Sequence, residues 1–264
     1  MPPLSIITVC FNEAARIALT CESIVNQTFQ DFEWIVIDGG STDGTLDILQ
    51  RYASRMNYVV SEPDRGIYHA MNKGIAQAHG VYLLFLNGGD YLYQSDVLEK
   101  VFVLRNDLEK DIYYGGLLLE KDGRFEEHFL DIKHPYRLLL KGAFPHQAMF
   151  IHRRLFEMYG LYDESLRISG DTEFFLRVFV RSHRRKSHTI EQLPFMISVY
   201  ENVRGMSSRL AHLRKQENEA IRKRHYPRYY LFMTQEGKRL KKRIIQKIRL
   251  LFEKIILRRP TCPK

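Results

Sequence analysis

The chain has 264 residues, a formal net charge of +9 at pH 7, 45% hydrophobic residues and 27% charged residues. This balance is typical of globular proteins and excludes a disordered, collagen-like or small disulfide-rich protein. The sequence has three cysteines, no uncharged apolar run of about 18 residues and no secretory pattern at its start. We therefore expect no transmembrane helix, and we expect a reducing, cytoplasmic setting.

Charge is distributed unevenly along the chain. Residues 203–264 contain 19 Lys and Arg against 4 Asp and Glu, whereas residues 1–202 contain 21 basic and 27 acidic residues. A strongly basic segment favours an anionic partner, such as a membrane surface, a nucleic acid or another protein. We therefore predict a mildly acidic domain at residues 1–202 and a basic helical tail at residues 203–264.

The first 90 residues alternate apolar runs with helical patterns. The runs are rich in β-branched and aromatic residues, which is typical of strands that are buried on both faces. The predicted strands are Leu4–Val9, Glu33–Asp38, Tyr58–Glu62 and Tyr82–Asn87. Apolar residues at helical spacing lie between them, and Ser41 or Thr42 is expected to cap the second helix. Strand starts that are 24 to 29 residues apart predict βα units and a parallel sheet.

The pattern changes after residue 90. Two alternating segments around a Lys-Asp-Gly turn predict a hairpin, and helical patterns lie on either side of it. The predicted elements are the helix Asp96–Asn106, the strands Asp111–Leu119 and Arg124–Phe129, and the helix Glu173–Val180. The tail reads as helical from Gly205, with an interruption near Pro227.

Polar residues follow all four predicted strands of the first half. Open parallel sheets bind ligands beyond the carboxyl ends of their strands, so we expect these residues to share one site. They are Asn12 and Glu13, Asp38 with the glycines after it, Glu62, Asp64 and Arg65, and finally Asn87 and Asp90. A cleft with several carboxylates suits a nucleotide whose phosphates bind together with a divalent metal. The sequence has no dinucleotide fingerprint, P-loop, zinc-protease or hydrolase motif, which argues against those enzyme classes.

Several of these segments resemble family 2 glycosyltransferases of the GT-A fold, and more specifically the bacterial exopolysaccharide, colanic-acid and O-antigen type. The donor-half segments are Leu4–Glu13, Ile35–Thr45, Ser61–Gly74 and Phe85–Tyr91. The segments that resemble the acceptor half are Pro145–Phe150, Gly160–Glu164 and Ser169–Arg177. The resemblance covers roughly Leu4 to Tyr200. It implies an α/β protein, with a GT-A-type nucleotide-binding fold on a mostly parallel central sheet and the basic tail outside the match.

The resemblance also implies roles for individual residues in binding a nucleotide sugar. Base and ribose contacts would come from the first two strand ends, and contacts to the sugar or its phosphates from the third. The implied nucleotide-sugar-binding residues are Asn12, Glu13, Asp38, Glu62, Asp64, Arg65, Lys73, Asn87 and His146. Two of them keep a structural alternative, because Lys73 could be a surface cation and His146 a core histidine beside aromatic residues.

The metal and the catalytic base follow from the same resemblance. Asp90 would hold Mg²⁺ or Mn²⁺, although Gly89 stands where the family often has a second Asp, so a weakly metal-dependent enzyme is the alternative. Asp171 would act as the general base of an inverting transfer, with a helix N-cap as its structural alternative. Glu173 and Arg177 are spaced to form an i,i+4 ion pair.

The tail segment Gly237–Arg259 reads as a basic amphipathic helix suited to an anionic membrane interface. A homodimer contact or packing on the body is the alternative. The function implied is transfer of a sugar from a UDP- or GDP-linked donor to a glycan or lipid-linked acceptor. We expect it in cell-surface polysaccharide synthesis, peripheral on the inner face of the membrane.

Two rival functions remain open. A sugar nucleotidyltransferase would have a glycine-rich basic signature near its start, which Thr8–Arg16 lacks. A nucleic-acid-binding protein could use the basic tail, but aromatic residues are not interleaved with its basic ones and no RNA-binding motif is present. We therefore expect no nucleic-acid partner.

Overall fold

The computed structural model describes residues 1–104, 108–121, 123–129, 144–182, 188–201, 210–225, 242, 243 and 246. The chain divides into two compact units, Met1–Asn218 and Glu219–Lys264. The predicted boundary between residues 202 and 203 adjoins residues 202–209, which lie outside the described residues, so it stays a prediction. Most of the predicted tail helix Gly237–Arg259, and the interruption near Pro227, also lie outside them.

Four parallel strands form the first half of the sheet. They are β1 (Leu4–Cys10), β2 (Phe32–Asp38), β3 (Tyr58–Ser61) and β4 (Tyr82–Phe85). β1 pairs in parallel with β2 and β4, and β2 pairs in parallel with β3. The prediction of parallel strands is therefore confirmed. The continuous apolar character of β1, β2 and β4 matches their burial, whereas β3 lies at the sheet edge and is mostly exposed.

Helices α1 (Ile17–Val25), α2 (Thr45–Gln50) and α3 (Ile67–Gln77) connect these strands, as predicted. The predicted cap of α2 is wrong. Gly44 holds the N-cap position, with a left-handed φ of 94° that suits glycine. Ser41 lies three residues before the N-cap position, and its hydroxyl donates to the buried carboxylate of Asp38, 2.5 Å away.

The second half of the sheet is mixed. The remaining elements are β5 (Tyr91–Leu92), α4 (Val97–Phe102), β6 (Ile112–Lys121), β7 (Arg124–His128), β8 (Met149–His152), α5 (Arg154–Tyr159), α6 (Gly170–Ser182), β9 (Ile190–Glu201) and α7 (Ala211–His225). Among the described residues nine strands form one sheet in the order β3-β2-β1-β4-β8-β6-β9-β5, with β7 beside β6. The predicted β6–β7 hairpin is confirmed. Two sequence-distant strands, β8 and β9, complete the sheet on either side of β6.

The core lies on both faces of this sheet. Trp34, Tyr82, Tyr113 and Phe150 are among its largest fully buried side chains. Burial of each such side chain contributes roughly 1.5–3 kcal/mol, which gives the strand ends a rigid support. No helix within the described part of the chain is long and apolar enough to span a membrane.

Candidate functional site

Asp38, at the end of β2, organises the loop that follows it. Its carboxylate is fully buried. It accepts hydrogen bonds from the backbone N–H groups of Gly40 (3.0 Å) and Ser41 (2.9 Å) and from the hydroxyls of Ser41 (2.5 Å) and Ser61 (2.6 Å). The glycine-rich loop after β2 and the end of β3 are therefore tied to a single carboxylate.

These hydrogen bonds set the charge state of Asp38. Burial by itself would raise the pKa of this carboxyl, but the hydrogen bonds from Ser41 and Ser61 outweigh burial, so its pKa is lowered. Asp38 is therefore an anion at neutral pH despite being buried. The charge of Asp38 is stabilised by uncharged hydrogen-bond donors of the loop and of Ser61 on β3.

The end of β1 is joined to the same loop. Asn12 has a positive φ of 54°, a conformation that asparagine tolerates better than most residues. Its backbone N–H donates to the Ser41 hydroxyl (2.7 Å), and its side-chain oxygen accepts from the Thr42 N–H (2.9 Å). The Glu13 N–H donates to the Thr45 hydroxyl (2.8 Å). The structure thus brings the first two predicted strand ends together.

The end of β3 carries a cluster of charges. Lys73, on α3, lies 2.8 Å from Glu62 and 2.5 Å from Asp64, and the His69 ring lies 3.0 Å from Asp64. Burial by itself would lower the pKa of Lys73, but its bonds to Asp64 and Glu62 raise it, so Lys73 is a cation. Lys73 is therefore not a surface cation, because its side chain is mostly buried within this cluster.

Arg65 links the donor half to the segment before α6. Its guanidinium is 70% exposed and lies 2.5 Å from the Glu164 carboxylate. Asn72, buried on α3, donates to Glu164 and to the Tyr162 carbonyl, each at 3.0 Å, and accepts from the Tyr162 N–H. This network holds the segment before α6 against α3.

His146 bridges the end of β4 and the start of α6. Its Nε2 lies 3.1 Å from the Asn87 amide nitrogen, and its Nδ1 lies 3.4 Å from the Asp171 carboxylate. The ring also packs edge-on against Phe85. The core-histidine interpretation accounts for the contact with Phe85. It does not account for the contacts of His146 with Asn87 and Asp171, two polar residues of the predicted site.

Asp171 lies inside α6 rather than at its cap. The Glu173 N–H donates to the Ser169 carbonyl (2.9 Å), which places Ser169 at the N-cap position and Asp171 in the first turn. The Asp171 carboxylate accepts from the Thr172 N–H at 2.6 Å and lies 3.4 Å from the Tyr68 hydroxyl. The N-cap interpretation of Asp171 is thus wrong.

The Tyr68 ring packs against Gly170 at the start of α6. A Cβ on Gly170 would lie 2.8 Å from three atoms of the Tyr68 ring, so only glycine permits this close approach. Burial raises the pKa of Tyr68 well above its ordinary value, so its hydroxyl stays protonated and can donate to Asp171. The Tyr68 hydroxyl and His146 Nδ1 each lie 3.4 Å from the Asp171 carboxylate.

Glu173 and Arg177 form the ion pair expected from their spacing. Arg177 Nη2 lies 2.9 Å from Glu173, which is 3% exposed, and the guanidinium also donates to the carbonyls of Tyr159 and Leu161. This pair ties α5 and the segment after it to α6. Glu173 therefore has a structural role, which leaves Asp171 as the carboxylate of α6 that faces His146.

Asp90 is the carboxylate at the predicted metal position, and the Glu13 carboxylate lies close to the neighbouring Gly89. Asp90 is 5% exposed, and its backbone carbonyl accepts from the Thr20 hydroxyl (2.7 Å). Within the described ranges no group of three or more His, Cys, Asp or Glu residues could hold a metal ion. Mg²⁺ is commonly bound by one or two carboxylates together with substrate phosphates and waters. The site therefore fits a metal shared with a diphosphate, and not an all-protein metal cage.

Sequence reasoning did not single out three residues that the structure places here. Phe11 is 60% exposed beside Gly39 at the end of β1, whereas its apolar character predicts burial. Tyr68 resembled an ordinary helix-face residue. Glu217, on α7, accepts hydrogen bonds from residues 167–169, which precede α6. Only the position of Phe11 after a buried strand could have indicated a site residue.

The fold resembles solved structures that bind nucleotide sugars. The S. aureus TarS 1-349 structure in complex with UDP-GlcNAc has a TM-score of 0.66 at 17% identity, covering 89% of this chain and 68% of that chain. A mannosyltransferase from Pyrobaculum calidifontis, in complex with GDP-Man and Mn²⁺, has a TM-score of 0.61 at 19% identity, covering 84% of this chain and 64% of that chain. The chain covers 36% of a longer TarS chain. These likenesses confirm the predicted GT-A-type fold.

Sequence relatives identify the class of protein. A PGL/p-HBAD biosynthesis glycosyltransferase of Mycobacterium tuberculosis is 37% identical over 182 residues, which is 67% of this chain and 70% of that protein. A cholesterol galactosyltransferase of Borreliella burgdorferi is 34% identical over 101 residues, which is 38% of this chain and 28% of that protein. The profile of glycosyl transferase family 2 matches residues 5–158. The chain is therefore a glycosyltransferase that belongs to glycosyl transferase family 2.

Proposed function

We propose that this protein is an inverting glycosyltransferase that moves a sugar from a nucleoside-diphosphate sugar to an acceptor hydroxyl. One observation carries the proposal: His146 joins Asn87, at the end of the donor-side strand β4, to the Asp171 carboxylate at the start of α6. A donor bound over the strand ends would therefore have a carboxylate beside it. That is the arrangement that a direct displacement requires.

The nucleotide would bind at the loop that Asp38 organises. Asn12 and Glu13 flank this loop, and Asp38 acts by fixing the conformation of the loop, since its own oxygens are occupied by loop donors. Phe11 presents an exposed aromatic ring beside the same loop, which suits contact with a base. UDP and GDP donors are both compatible with this proposal.

The sugar and diphosphate would lie between the β3 and β4 ends. Arg65 and Lys73 supply positive charge there, and Glu62 and Asp64 supply hydrogen-bond acceptors for sugar hydroxyls. Asp90 would hold Mg²⁺ or Mn²⁺ together with the diphosphate, and the metal would neutralise charge on the departing nucleotide. A weakly metal-dependent enzyme is the alternative, since Gly89 stands where the family often has a second Asp.

Asp171 would perform the proton transfer. As the acceptor oxygen bonds to the anomeric carbon, its proton passes to the Asp171 carboxylate. The bond from the anomeric carbon to the phosphate oxygen breaks, and its electron pair leaves with the nucleoside diphosphate. The acceptor attacks from the face opposite the leaving group, so the anomeric configuration inverts. General-base catalysis of this kind typically contributes about 10²–10⁴-fold to the rate.

We also propose a lipid-linked or glycan acceptor in cell-surface polysaccharide synthesis of the exopolysaccharide type. One relative is named a cholesterol galactosyltransferase, and cholesterol is a lipid. The last turn of α7 is basic, with Arg222, Lys223, Arg224 and His225, and the sequence beyond it is also basic. These charges support a peripheral position on the anionic inner face of a membrane, with homodimer formation as the alternative role of the tail.

To identify the donor, a panel of UDP- and GDP-linked sugars is tested with and without Mn²⁺, and the melting temperature and the release of free nucleotide are measured. We expect one nucleotide series to raise the melting temperature and one sugar of that series to release free nucleotide. The anomeric configuration of the product, read by NMR, tests inversion. Retention of configuration, or no stabilisation by any nucleotide sugar, would contradict the proposal.

A further inference from the structure

Glu217 is a carboxylate of α7 that reaches back to the start of α6. It accepts hydrogen bonds from three consecutive backbone N–H groups, those of Arg167 (2.7 Å), Ile168 (3.1 Å) and Ser169 (2.9 Å). Consecutive N–H groups that point the same way form a site for an anion. Here the chain supplies the anion from a residue 48 positions or more further on.

This contact holds the residues that lead directly into Asp171. Ser169 is the N-cap residue of α6, and Asp171 follows two positions later. The Ser169 hydroxyl, which could cap the helix, has no hydrogen bond partner among the described residues. A negative charge at this end of a 13-residue helix also interacts favourably with the helix dipole. Glu217 accepts from the N–H of the N-cap residue Ser169, as the acidic residue of a capping box does, and from the two N–H groups before it.

The start of α6 is consequently held from two sides. The Tyr68 ring lies against Gly170 on one side, where no Cβ would fit, and Glu217 holds the N–H groups of the preceding residues on the other. Both contacts involve the backbone that leads into Asp171, whose carboxylate lies 3.4 Å from His146 Nδ1. A displacement of about 1 Å at a reacting group can lower a rate about 10²-fold.

We propose that Glu217 is a positioning residue that acts through Asp171, an inference that rests on the proposed base role of Asp171. Glu217 lies outside residues 5–158, the part that matches the family profile, and outside the predicted domain at residues 1–202. The catalytic site is then completed by the C-terminal helix α7, and the family domain by itself is not sufficient for full activity.

The test is a double-mutant cycle in the full chain, with release of UDP or GDP from the donor that the wild type turns over as the readout. Glu217→Ala is expected to lower kcat by up to about 10²-fold with little change in donor KM. Glu217→Gln should lower kcat less than Glu217→Ala does, because its amide oxygen can still accept a hydrogen bond from these N–H groups. In an Asp171→Asn background Glu217→Ala should have little further effect, since the residue it positions no longer acts.

Two further measurements separate positioning from a general structural role. Glu219→Gln is the matched control, because Glu219 lies on the same helix in a solvent-exposed ion pair with Lys223, and it should leave kcat unchanged. Amide hydrogen exchange at residues 167–172 should rise in Glu217→Ala but not in the control. If Glu217→Ala does not fold, Glu217→Gln decides the matter, because its amide oxygen cannot accept from all three N–H groups: a lowered kcat with unchanged donor KM supports the positioning role, and wild-type kcat overturns it.

Each failure has its own signature. Wild-type kcat in both Glu217 variants, or an equal loss of kcat from Glu217→Ala in the wild-type and Asp171→Asn backgrounds, would overturn the positioning role alone. Undiminished turnover by Asp171→Asn would overturn the proposed base, and with it this inference. A wild type that turns over no UDP- or GDP-sugar would likewise overturn both.

Discussion

His146 Nδ1 lies 3.4 Å from the Asp171 carboxylate, across the boundary between the donor half and the acceptor half of the site. On its other side the ring contacts Asn87. One imidazole thus connects the end of a donor-side strand to the proposed base.

The first prediction concerns Asp171 itself. Asp171→Asn preserves the size of the side chain but removes its ability to accept a proton, so kcat should fall about 10²–10⁴-fold. Nucleotide affinity, measured by calorimetry with UDP and GDP, should stay near the wild-type value. Asp163→Asn is the control, since its carboxylate bonds within its own turn to Ser165. Turnover within a few-fold of wild type in Asp171→Asn would exclude Asp171 as the base.

The second prediction concerns His146. His146→Gln should lower kcat by up to about 10²-fold, because the Asp171 carboxylate loses a polar neighbour that orients it. The donor KM should change far less. His79→Gln, at a largely exposed histidine on the turn before β4, serves as the control. A raised KM with an unchanged kcat would instead support the direct donor-binding role that the family resemblance implies.

The third prediction concerns Asp38 and the donor loop. Asp38→Ala removes four hydrogen bonds that hold the loop, so UDP or GDP should bind more weakly by about 1.5–3 kcal/mol. Calorimetry on the folded variant measures this change. Unchanged affinity for both nucleotides would show that the loop conformation does not depend on Asp38.

The lowered pKa of Asp38 also predicts that the free energy of unfolding depends on pH. Its pKa is lowered in the folded state, so its contribution is fully present above the unfolded pKa of about 3.9 and is lost as the pH falls through the folded pKa. Urea unfolding at pH 7 should show a large stability difference between wild type and Asp38→Asn. The difference should shrink below about pH 4. A difference that is constant with pH would contradict this origin of the effect.

The fourth prediction concerns the metal. EDTA should stop turnover, and Asp90→Asn should raise the concentration of Mn²⁺ or Mg²⁺ that half-maximal activity requires. Because the described residues offer no three-ligand metal site, EDTA should not change the melting temperature of the nucleotide-free protein. Turnover that is insensitive to EDTA would show that Asp90 is not a metal ligand.

The fifth prediction concerns the tail. A chain truncated before Gly237 keeps α7 and Glu217, so it should remain folded and active in solution. It should sediment less with vesicles that contain anionic lipids, because a large share of the positive charge of residues 203–264 is gone. Neutral vesicles are the control. Equal binding of both chains to anionic vesicles would favour a dimer contact or packing as the role of the tail.

The local chemistry of the first 90 residues was sufficient to predict the parallel strands β1 to β4 and the helices between them. Buried parallel strands need continuous apolar runs, and amphipathic helices need a repeating apolar face, so both leave a signal over a few residues. The strand pattern also predicted that the polar residues after β1 to β4 would lie together, at the carboxyl ends of these parallel strands. It also predicted the i,i+4 pair of Glu173 and Arg177, which depends on helical spacing alone.

Other features had no local signal. The predicted cap of α2 was wrong because the helix begins later, at Thr45 after Gly44, and the Ser41 hydroxyl instead donates to the buried carboxylate of Asp38 in the folded loop. The contact between His146 and Asn87 joins residues 59 positions apart. No pattern of spacing within a single element can indicate such a contact.

The sequence by itself determined the family, the parallel half of the sheet and the residue types at the strand ends, because those properties depend on neighbouring residues. Only the tertiary structure decided which carboxylate faces His146, and that Glu217 on α7 accepts hydrogen bonds from the residues before α6. The physical reason is that these contacts join separate elements. Their partners are selected by packing, and packing is a property of the whole fold.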